Sequence, residues 1–200
     1  MSRIITIGRE FGSGGRELGR RLAEQLQFEY YDKEIISEIA KHTSLSEQYV
    51  SQVLEGKPHT LYPIVVGHSF NTFNQHYYLQ MQAVFRAQTD IINNMSEKSD
   101  CVIIGRCADY ILREKNPYRI FVYADIESRL KRCRSRSPED EHLTDKQLKK
   151  AILKVDRERA HFYRYYTGGK WGSRENYDLL INTTNTVIKE IVPALAKMFK

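Results

Sequence analysis

A glycine-rich segment close to the start of the chain has the composition of a phosphate-binding loop. It runs from Gly8 to Gly19 with the sequence G-R-E-F-G-S-G-G-R-E-L-G. A β-branched run precedes it and an amphipathic helix pattern follows, which gathers backbone N–H groups around an anion at a helix N-terminus. Four glycines within eight residues are poorly explained by a ligand-free turn. The residues expected to bind phosphate are Gly12, Ser13, Gly14, Gly15, Arg16 and Glu17.

The loop departs from the standard phosphate-binding motifs. In the Walker pattern G-x-x-x-x-G-K-[ST], the second glycine is Gly14, but Gly15 stands where the lysine belongs. Arg16 stands where the hydroxyl residue belongs, with Glu17 directly after it, and Arg9 replaces the first glycine. The dinucleotide fingerprint G-x-G-x-x-G also fails, because Glu17 stands at its third glycine. Arg16 follows the position of the missing lysine directly and could supply the lost positive charge.

Polar and charged residues also follow the other predicted strands, and ligands of an open parallel sheet bind at the carboxyl ends of its strands. These residues are Asp32 and Lys33 after the second strand, Arg106 and Asp109 after the third, Asp125 after the fourth, and Thr183 and Thr184 after the fifth. Cations on the phosphates and an acidic ligand for the metal are what phosphoryl transfer requires. The pattern therefore indicates a site for ATP and Mg²⁺, with Arg16, Asp32 and Arg106 among its catalytic residues.

Two of these side chains each have a second interpretation. Asp32 could hold Mg²⁺ through water or accept a proton from a hydroxyl acceptor, or it could cap a helix over Lys33–Lys41. Arg106 could fork onto a phosphate, or it could form a surface salt bridge. For Mg²⁺ itself no ligand is assigned firmly, and the carboxylates of Glu17 and Asp32 are the two candidates.

The elements that would position these residues alternate in a β-α order, which predicts an open α/β sheet with right-handed crossovers. The predicted strands are Ile4–Ile7, Phe28–Tyr31, Cys101–Ile104, Arg119–Ala124 and Leu179–Asn182. The predicted helices are Arg16–Gln27, Lys33–Lys41, Ser46–Leu54, Gln75–Ser96, Ala108–Leu112, Ile126–Arg136, Asp145–Arg164 and Thr186–Phe199. Ser44 is expected to cap the third helix. The irregular segment Gly56–Asn74 is expected to be a substrate-covering lid or a plain surface loop.

Composition limits the function classes. The formal charge of +6 favours anionic partners, either nucleic acid or the phosphates of a small substrate. The 3 cysteines include no C-x-x-C pair, so we expect reduced thiols in the cytoplasm. No apolar run approaches 18 residues and no signal-peptide pattern begins the chain, so no membrane span is expected.

Six segments resemble the cytidylate kinase-like family of P-loop kinases. They are Gly8–Glu17, Tyr30–Glu34, Ile104–Asp109, Asp156–Ala160, Tyr165–Gly172 and Tyr177–Thr183. The resemblance covers nearly the whole chain in order. It implies one α/β domain over residues 1–200 with a P-loop kinase fold, a five-stranded parallel sheet flanked by helices. An acceptor-binding flap over about residues 33–97 and a lid over about residues 129–160 would complete it.

The resemblance also implies residue roles. Asp156 and Arg159 match the Asp-x-x-Arg pair that holds the acceptor nucleotide, and Lys33, Arg106 and Asp109 are further candidates for substrate binding. Thr183 and Thr184 lie where P-loop kinases place the donor base. A lid over the transferring phosphoryl group would be formed by Arg129, Arg132, Arg134 and Arg136, with Arg132 catalytic. Alternatively, these arginines form a solvated basic face. The family's acids at the positions of Ile104 and Cys107, and its serine at the position of Lys33, are absent.

These observations predict an ATP-dependent phosphotransferase that acts on a small phosphorylated acceptor, most simply a pyrimidine nucleoside monophosphate. One alternative is a kinase for a hydroxyl-bearing acceptor, with Asp32 as the base. Another is a nucleotide-binding regulatory protein without catalysis, which the missing lysine favours. Nucleic acid is not an expected partner because no recognition motif is present. The apolar positions of Gln75–Ser96 predict a core helix or the interface of a homodimer.

Overall fold

The protein is an α/β fold built on one parallel sheet, as the computed structural model of residues 2–55, 72–136 and 143–199 shows. The strands are β1 (Ile4–Arg9), β2 (Glu29–Tyr31), β3 (Cys101–Ile104), β4 (Tyr118–Tyr123) and β5 (Leu179–Asn182). Their order in the sheet is β2-β3-β1-β4-β5, and every neighbouring pair is parallel. This confirms the predicted five-stranded parallel sheet.

Helices connect the strands. They are α1 (Gly15–Leu26), α2 (Glu34–Thr43), α3 (Glu47–Glu55), α4 (Thr72–Lys98), α5 (Ala108–Ile111), α6 (Ile126–Arg134), α7 (Asp145–Thr167) and α8 (Ile188–Ala196). Among the described residues, no helix is both long enough and apolar enough to cross a membrane. The predicted excursion Gly56–Asn74 lies outside the described residues up to position 71, and Thr72–Asn74 begin α4.

Alternating side chains of the strands divide the core into two clusters. Ile4, Cys101 and Ile103 pack on one face of the sheet with side chains of α2, α3, α4 and α7. Ile5 and Ile7 point to the other face, where α1 and α8 cover them. Both faces of the central strands β1, β3 and β4 are therefore covered, which is why these strands are continuous apolar runs rather than alternating ones. Helix α4 contributes to the first cluster, in agreement with its interpretation as a core helix.

Two helix ends differ from the sequence-based expectation. Ser44 does not cap α3; it ends α2 in a left-handed conformation with φ 54°. The cap is Ser46, whose hydroxyl accepts the Tyr49 N–H at 3.2 Å. Asp32 does not cap α2 either, because Lys33 occupies the cap position and the Asp32 carboxylate is bound to arginine. In both cases the helix itself was predicted correctly, but its cap was assigned to the wrong one of several neighbouring polar residues.

Strand β1 is longer than its apolar run and delivers the chain to the candidate site. Beyond Ile7, Gly8 pairs with Phe121 and Arg9 pairs with Val122 of β4. Residue 8 must be glycine, because a Cβ there would lie 2.8 Å from the Phe121 ring and 3.1 Å from the Tyr177 hydroxyl. This extension carries Arg9 to the carboxyl edge of the sheet, directly before the glycine loop.

Candidate functional site

The glycine loop is a tight turn between β1 and α1. Gly12 and Gly14 have φ values of 77° and 84°, in the left-handed region that glycine tolerates without strain. The Ser13 hydroxyl donates to the carbonyl of Glu10 at 2.9 Å, which closes the turn from within. Thr183, which directly follows β5, stabilises the same segment, because its hydroxyl donates to the Ser13 carbonyl at 2.6 Å. The loop is thus held in shape by its own chain.

Backbone donors of this loop are available to a ligand. Within the described part of the chain, the N–H groups of Gly14, Arg16 and Glu17 have no hydrogen-bond acceptor. They lie at the N-terminus of α1, where the helix dipole adds partial positive charge. A cavity of about 420 Å³, here called the loop cavity, adjoins them; its lining includes Gly14, Arg16, Arg132, Arg136, Leu148 and Val155. Donors, cations and one apolar wall make it suited to a phosphorylated ligand.

Arg9 lies at the centre of the charged residues, although the sequence had shown it only as a lost glycine. Only 10% of its side-chain surface is exposed, and its Nη2 lies 3.8 Å from Asp32 Oδ1. The pKa of Arg9 is lowered to about 9, mainly by burial and also by the positive charges of Arg159, Arg106 and Arg16, while the Asp32 carboxylate raises it. The group is therefore still a cation at pH 7, in a place where positive charge is in excess. The sequence signal for Arg9 was a pair of departures from the Walker pattern: arginine replaces glycine at position 9, and glycine replaces lysine at position 15.

Asp32 and Arg16 form a salt bridge beside the loop. Arg16 Nε donates to Asp32 Oδ2 at 2.6 Å, and half of the Arg16 side chain is exposed. The Asp32 side chain is 6% exposed, so its charge is compensated mainly by this arginine and by Arg9. Both carboxylate oxygens of Asp32 therefore face guanidinium groups, Oδ2 that of Arg16 and Oδ1 that of Arg9.

Arg106 follows β3 in an unusual backbone conformation. Gly105, Arg106 and Cys107 have φ values of 67°, 58° and 54°, a left-handed turn that costs about 1–2 kcal/mol per non-glycine residue. The buried Gln88 side chain stabilises the turn, because its Nε2 donates to the Arg106 carbonyl at 3.0 Å. Backbone strain of this kind persists where the surroundings enforce it, commonly at functional sites.

A second, smaller cavity lies behind Arg106. It measures about 50 Å³, and we call it the inner cavity; its lining includes Arg9, Arg106, Asp109, Arg159, Phe162 and Tyr177. Asp109 is buried there and accepts a hydrogen bond from the Tyr163 hydroxyl at 2.7 Å. Burial raises the pKa of Asp109 above its usual range. The inner cavity therefore combines guanidinium groups with aromatic walls.

Helices α6 and α7 fasten the glycine loop. Asp156 Oδ1 accepts the Phe11 N–H at 2.7 Å, and Oδ2 pairs with the buried Arg129. Arg129 also reaches Glu10 Oε2 at 3.1 Å and donates to the Phe11 carbonyl at 2.7 Å. Three residues along α7, Arg159 Nη1 donates to the Arg9 carbonyl at 3.2 Å. The predicted acceptor pair Asp156–Arg159 is thus engaged with the loop backbone.

The remaining predicted residues occupy the edges of the site. Arg132 Nη2 donates to the carbonyls of Thr183 and Thr186, so it packs on the turn after β5. Thr184 Oγ1 accepts the Asp125 N–H at 2.9 Å. Lys33 is exposed in a groove that Arg16 and Glu17 also line. The structure thus brings Arg9, Arg16, Asp32, Arg106 and Arg159 together and places Lys33 and Thr184 further out.

Comparison with protein-family models identifies the relatives of this chain. The model of the cytidylate kinase-like family matches residues 4–185. The chain belongs to the cytidylate kinase-like family. No curated protein matches the sequence significantly.

Solved structures share the fold of this chain. An uncharacterized protein from Eubacterium ventriosum is 26% identical over 98% of both chains, with a TM-score of 0.71. Shikimate kinase from Bacteroides thetaiotaomicron matches 98% of both chains at 14% identity and a TM-score of 0.58. Shikimate kinase from Acinetobacter baumannii, solved with shikimate, gives a TM-score of 0.50 at 15% identity, over 100% of this chain and 93% of that one. The family and the P-loop kinase fold together indicate a small-molecule kinase.

The residues of this cytidylate kinase-like chain fit the phosphates of a nucleotide better than they fit a ready-made metal site. The available N–H groups of the glycine loop and the surrounding guanidinium groups suit phosphate oxygens. No cluster of three or more metal-ligating side chains occurs within residues 2–55, 72–136 and 143–199. Glu17, in the first turn of α1, accepts from Arg21 Nε at 2.9 Å and pairs with Arg136. Because Mg²⁺ often binds one or two carboxylates together with substrate phosphates, Glu17 remains a suitable candidate.

Thr183→Val should loosen the glycine loop. Valine has nearly the shape of threonine, but it leaves the Ser13 carbonyl without its buried donor, so we expect a stability loss of about 1–3 kcal/mol and weaker ATP binding. Chemical denaturation and isothermal titration calorimetry measure both effects. Thr184→Val is the matched control, because its hydroxyl contacts Asp125 rather than the loop. Equal effects of the two substitutions would contradict a specific anchoring role for Thr183.

Proposed function

We propose that this protein transfers the γ-phosphoryl group of ATP, with Mg²⁺, to a pyrimidine nucleoside monophosphate. The observation that carries this proposal is the row of available loop N–H groups facing a cavity lined by guanidinium groups. Such donors stabilise charge on phosphate oxygens, and phosphoryl transfer asks little else of a protein beyond positioning. Mg²⁺, when bound, neutralises charge on the phosphates.

The donor phosphates would lie in the loop cavity. Backbone N–H groups of Gly14, Arg16 and Glu17 would bind their oxygens, and Arg132 and Arg136 line the same cavity. The guanidinium of Arg132 has its Nη1 buried without a hydrogen-bond partner among the described residues. A phosphate oxygen would satisfy such a donor, which supports the predicted role of Arg132 in the lid.

The acceptor phosphate would lie in the inner cavity between Arg106 and Arg159. About 50 Å³ is room for three or four water molecules, or for one phosphate group. The nucleoside would then extend outside this cavity, and the aromatic side chains of Phe162 and Tyr177 would line its path. These features support a phosphorylated acceptor over a hydroxyl-bearing one.

Two further expectations belong to this proposal. The cysteines described as free are Cys101, Cys107 and Cys133, which suits a reducing compartment such as the cytoplasm. The buried apolar side chains of α4 pack in the core of one chain, so they do not argue for a dimer interface. A homodimer therefore stays a prediction. Nucleic acid is not required to explain the positive charge, because the arginines converge on the two cavities.

The deciding experiment is a transfer assay with purified protein. ATP, MgCl₂ and one of CMP, UMP, AMP or GMP are incubated, and both diphosphate products are measured by chromatography. We expect CDP or UDP to form with ADP in equal amounts, and EDTA to abolish the reaction. Tight ATP binding without transfer to any monophosphate would instead favour the catalytically silent nucleotide binder, which the missing lysine suggests.

A further inference from the structure

We propose that Arg9 supplies the positive charge that the Walker lysine supplies in related kinases, by contacting the phosphoryl group that passes between the two cavities. This inference rests on the proposed function and deepens it. The sequence had suggested Arg16 for the same charge, because it directly follows the position of the missing lysine. Three observations favour Arg9 over Arg16: the space that Arg9 fills beside Gly15, its position between the two cavities, and the charges of its neighbours.

The space around Arg9 explains why position 15 carries no side chain. A Cβ on Gly15 would lie 2.6 Å from Arg9 Cβ and 3.1 Å from Val122 Cβ, well inside ordinary contact distance. Arg9 also runs across Gly105, where any Cβ would overlap its Nη1. A lysine at position 15 and an arginine at position 9 therefore exclude each other. The loop has exchanged one cation for another in the same region.

The position of Arg9 is the second argument. Arg9 and Arg159 line both the loop cavity, which suits the donor, and the inner cavity, which suits the acceptor. A phosphoryl group in transfer must lie between a donor and an acceptor. Cations at that point stabilise the charge that develops on its oxygens. Arg159 also donates to the Arg9 carbonyl at 3.2 Å, so the two residues are held together.

Local charge balance is the third argument. Asp32 is the carboxylate nearest to Arg9, but it lies 2.6 Å from Arg16 Nε and 3.8 Å from Arg9 Nη2, so Arg16 is its closer partner. Arg106 and Arg159 add further positive charge around Arg9. A buried guanidinium among like charges is costly unless an anion binds beside it. Arg16, half exposed and bonded to Asp32, is better placed to orient that carboxylate than to reach a transferring group.

The test compares Arg9→Gln with Arg16→Gln and with the control Arg113→Gln. Each removes one positive charge and keeps a polar side chain. Arg113 precedes β4, at the edge of the sheet opposite the glycine loop. For each variant we would measure kcat and KM for ATP and CMP, the Kd for inorganic tripolyphosphate by calorimetry, and the melting temperature without ligand. Arg9→Lys tests whether any cation at this position restores function.

We expect Arg9→Gln to lower kcat by about a hundredfold and to weaken tripolyphosphate binding at least tenfold, with an unchanged or higher melting temperature. Arg9→Lys should recover part of kcat, Arg16→Gln should lose less than tenfold, and Arg113→Gln should match the wild type. If Arg9→Gln keeps kcat within threefold while the wild type is active, the assignment of Arg9 is wrong and the proposed function stands. If the wild type transfers nothing, yet Arg9→Gln alone loses tripolyphosphate binding, the proposed function is wrong and Arg9 is a phosphate ligand. Should Arg9→Gln fail to fold, the same comparison is made with Arg9→Met, which also removes the charge but keeps an unbranched side chain; a wild-type kcat and tripolyphosphate affinity would then overturn the assignment of Arg9.

Discussion

Gly15→Lys alone should be strongly destabilised, whereas the double variant Arg9→Gly/Gly15→Lys should fold and bind ATP at least as tightly as the wild type. The new Cβ at position 15 lies 2.6 Å from Arg9 Cβ, an atom so close to the backbone that it cannot turn away. Overpacking of this kind costs about 1–3 kcal/mol, and a cation in the first turn of α1 opposes the helix dipole. We expect a total loss of about 3 kcal/mol for the single variant.

The double variant removes the clash and restores the first glycine and the lysine of the Walker pattern. Of the three nearest atoms, two belong to Arg9 and are removed; the contact with Val122 Cβ, at 3.1 Å, remains, and a shift of a few tenths of an ångström relieves it. A double-mutant cycle measured by urea denaturation should give a coupling free energy of at least about 1.5 kcal/mol between positions 9 and 15. Gly15→Ala, with and without Arg9→Gly, is the control that isolates the Cβ contact from the charge.

Additive effects in this cycle would show that Arg9 does not exclude a side chain at position 15. The stability measurement needs no kinase activity, so it tests the exchange of cations even if the true acceptor is unknown. ATP binding by the double variant adds a second measurement. A folded double variant that binds ATP tenfold more weakly than the wild type would show that lysine cannot take over from Arg9.

The architecture was predictable from the sequence because buried parallel strands are continuous apolar runs. The predicted strands Cys101–Ile104 and Leu179–Asn182 have the bounds that the structure shows. Strand β1 was predicted two residues short, because Gly8 and Arg9 are not apolar. Their pairing with β4 is a backbone interaction between distant segments, and hydrophobic pattern does not report it. Those two residues are also the ones that lead into the site.

The site was predictable in its location but not in its pairings. Strand ends and glycines located the charged residues at one edge of the sheet, because parallel strands share a carboxyl edge. Which carboxylate pairs with which arginine depends on side-chain direction and on chain segments far apart in sequence. Asp32 pairs with Arg16 at a separation of 16 residues, but Asp156 pairs with Arg129 and with the backbone of Phe11, 145 residues away. A motif comparison also treats Arg9 as a defect, whereas its position in space makes it a candidate ligand.

Asp156→Ala should cost about 3–5 kcal/mol of stability, because it removes one partner of a buried ion pair. The Arg129 side chain is 5% exposed and, among the described residues, would keep only Glu10 as an acidic partner, at 3.1 Å. The Phe11 N–H would also lose its acceptor at 2.7 Å. Glu158→Ala is the matched control on the same helix, since Glu158 is 3.9 Å from Lys154 in a partly exposed pair worth about 0–1 kcal/mol.

The same variant separates the two roles of Asp156, as an anchor of the glycine loop and as an acceptor-binding residue. If Asp156 acts mainly as an anchor, Asp156→Ala should lower stability and raise KM for ATP and for CMP together, because the loop itself is displaced. A rise in the CMP KM alone, with wild-type stability, would instead show direct acceptor binding. Replacing the whole pair, Arg129→Met with Asp156→Leu, should be less destabilising than Asp156→Ala, since the buried Arg129 is removed together with Asp156, and Glu10, which also loses Arg129, is partly exposed. The loop would then lose its bonds from α7 to Phe11 while the core stays packed, so weaker ATP binding in a stable protein is the result that ties this ion pair to nucleotide binding.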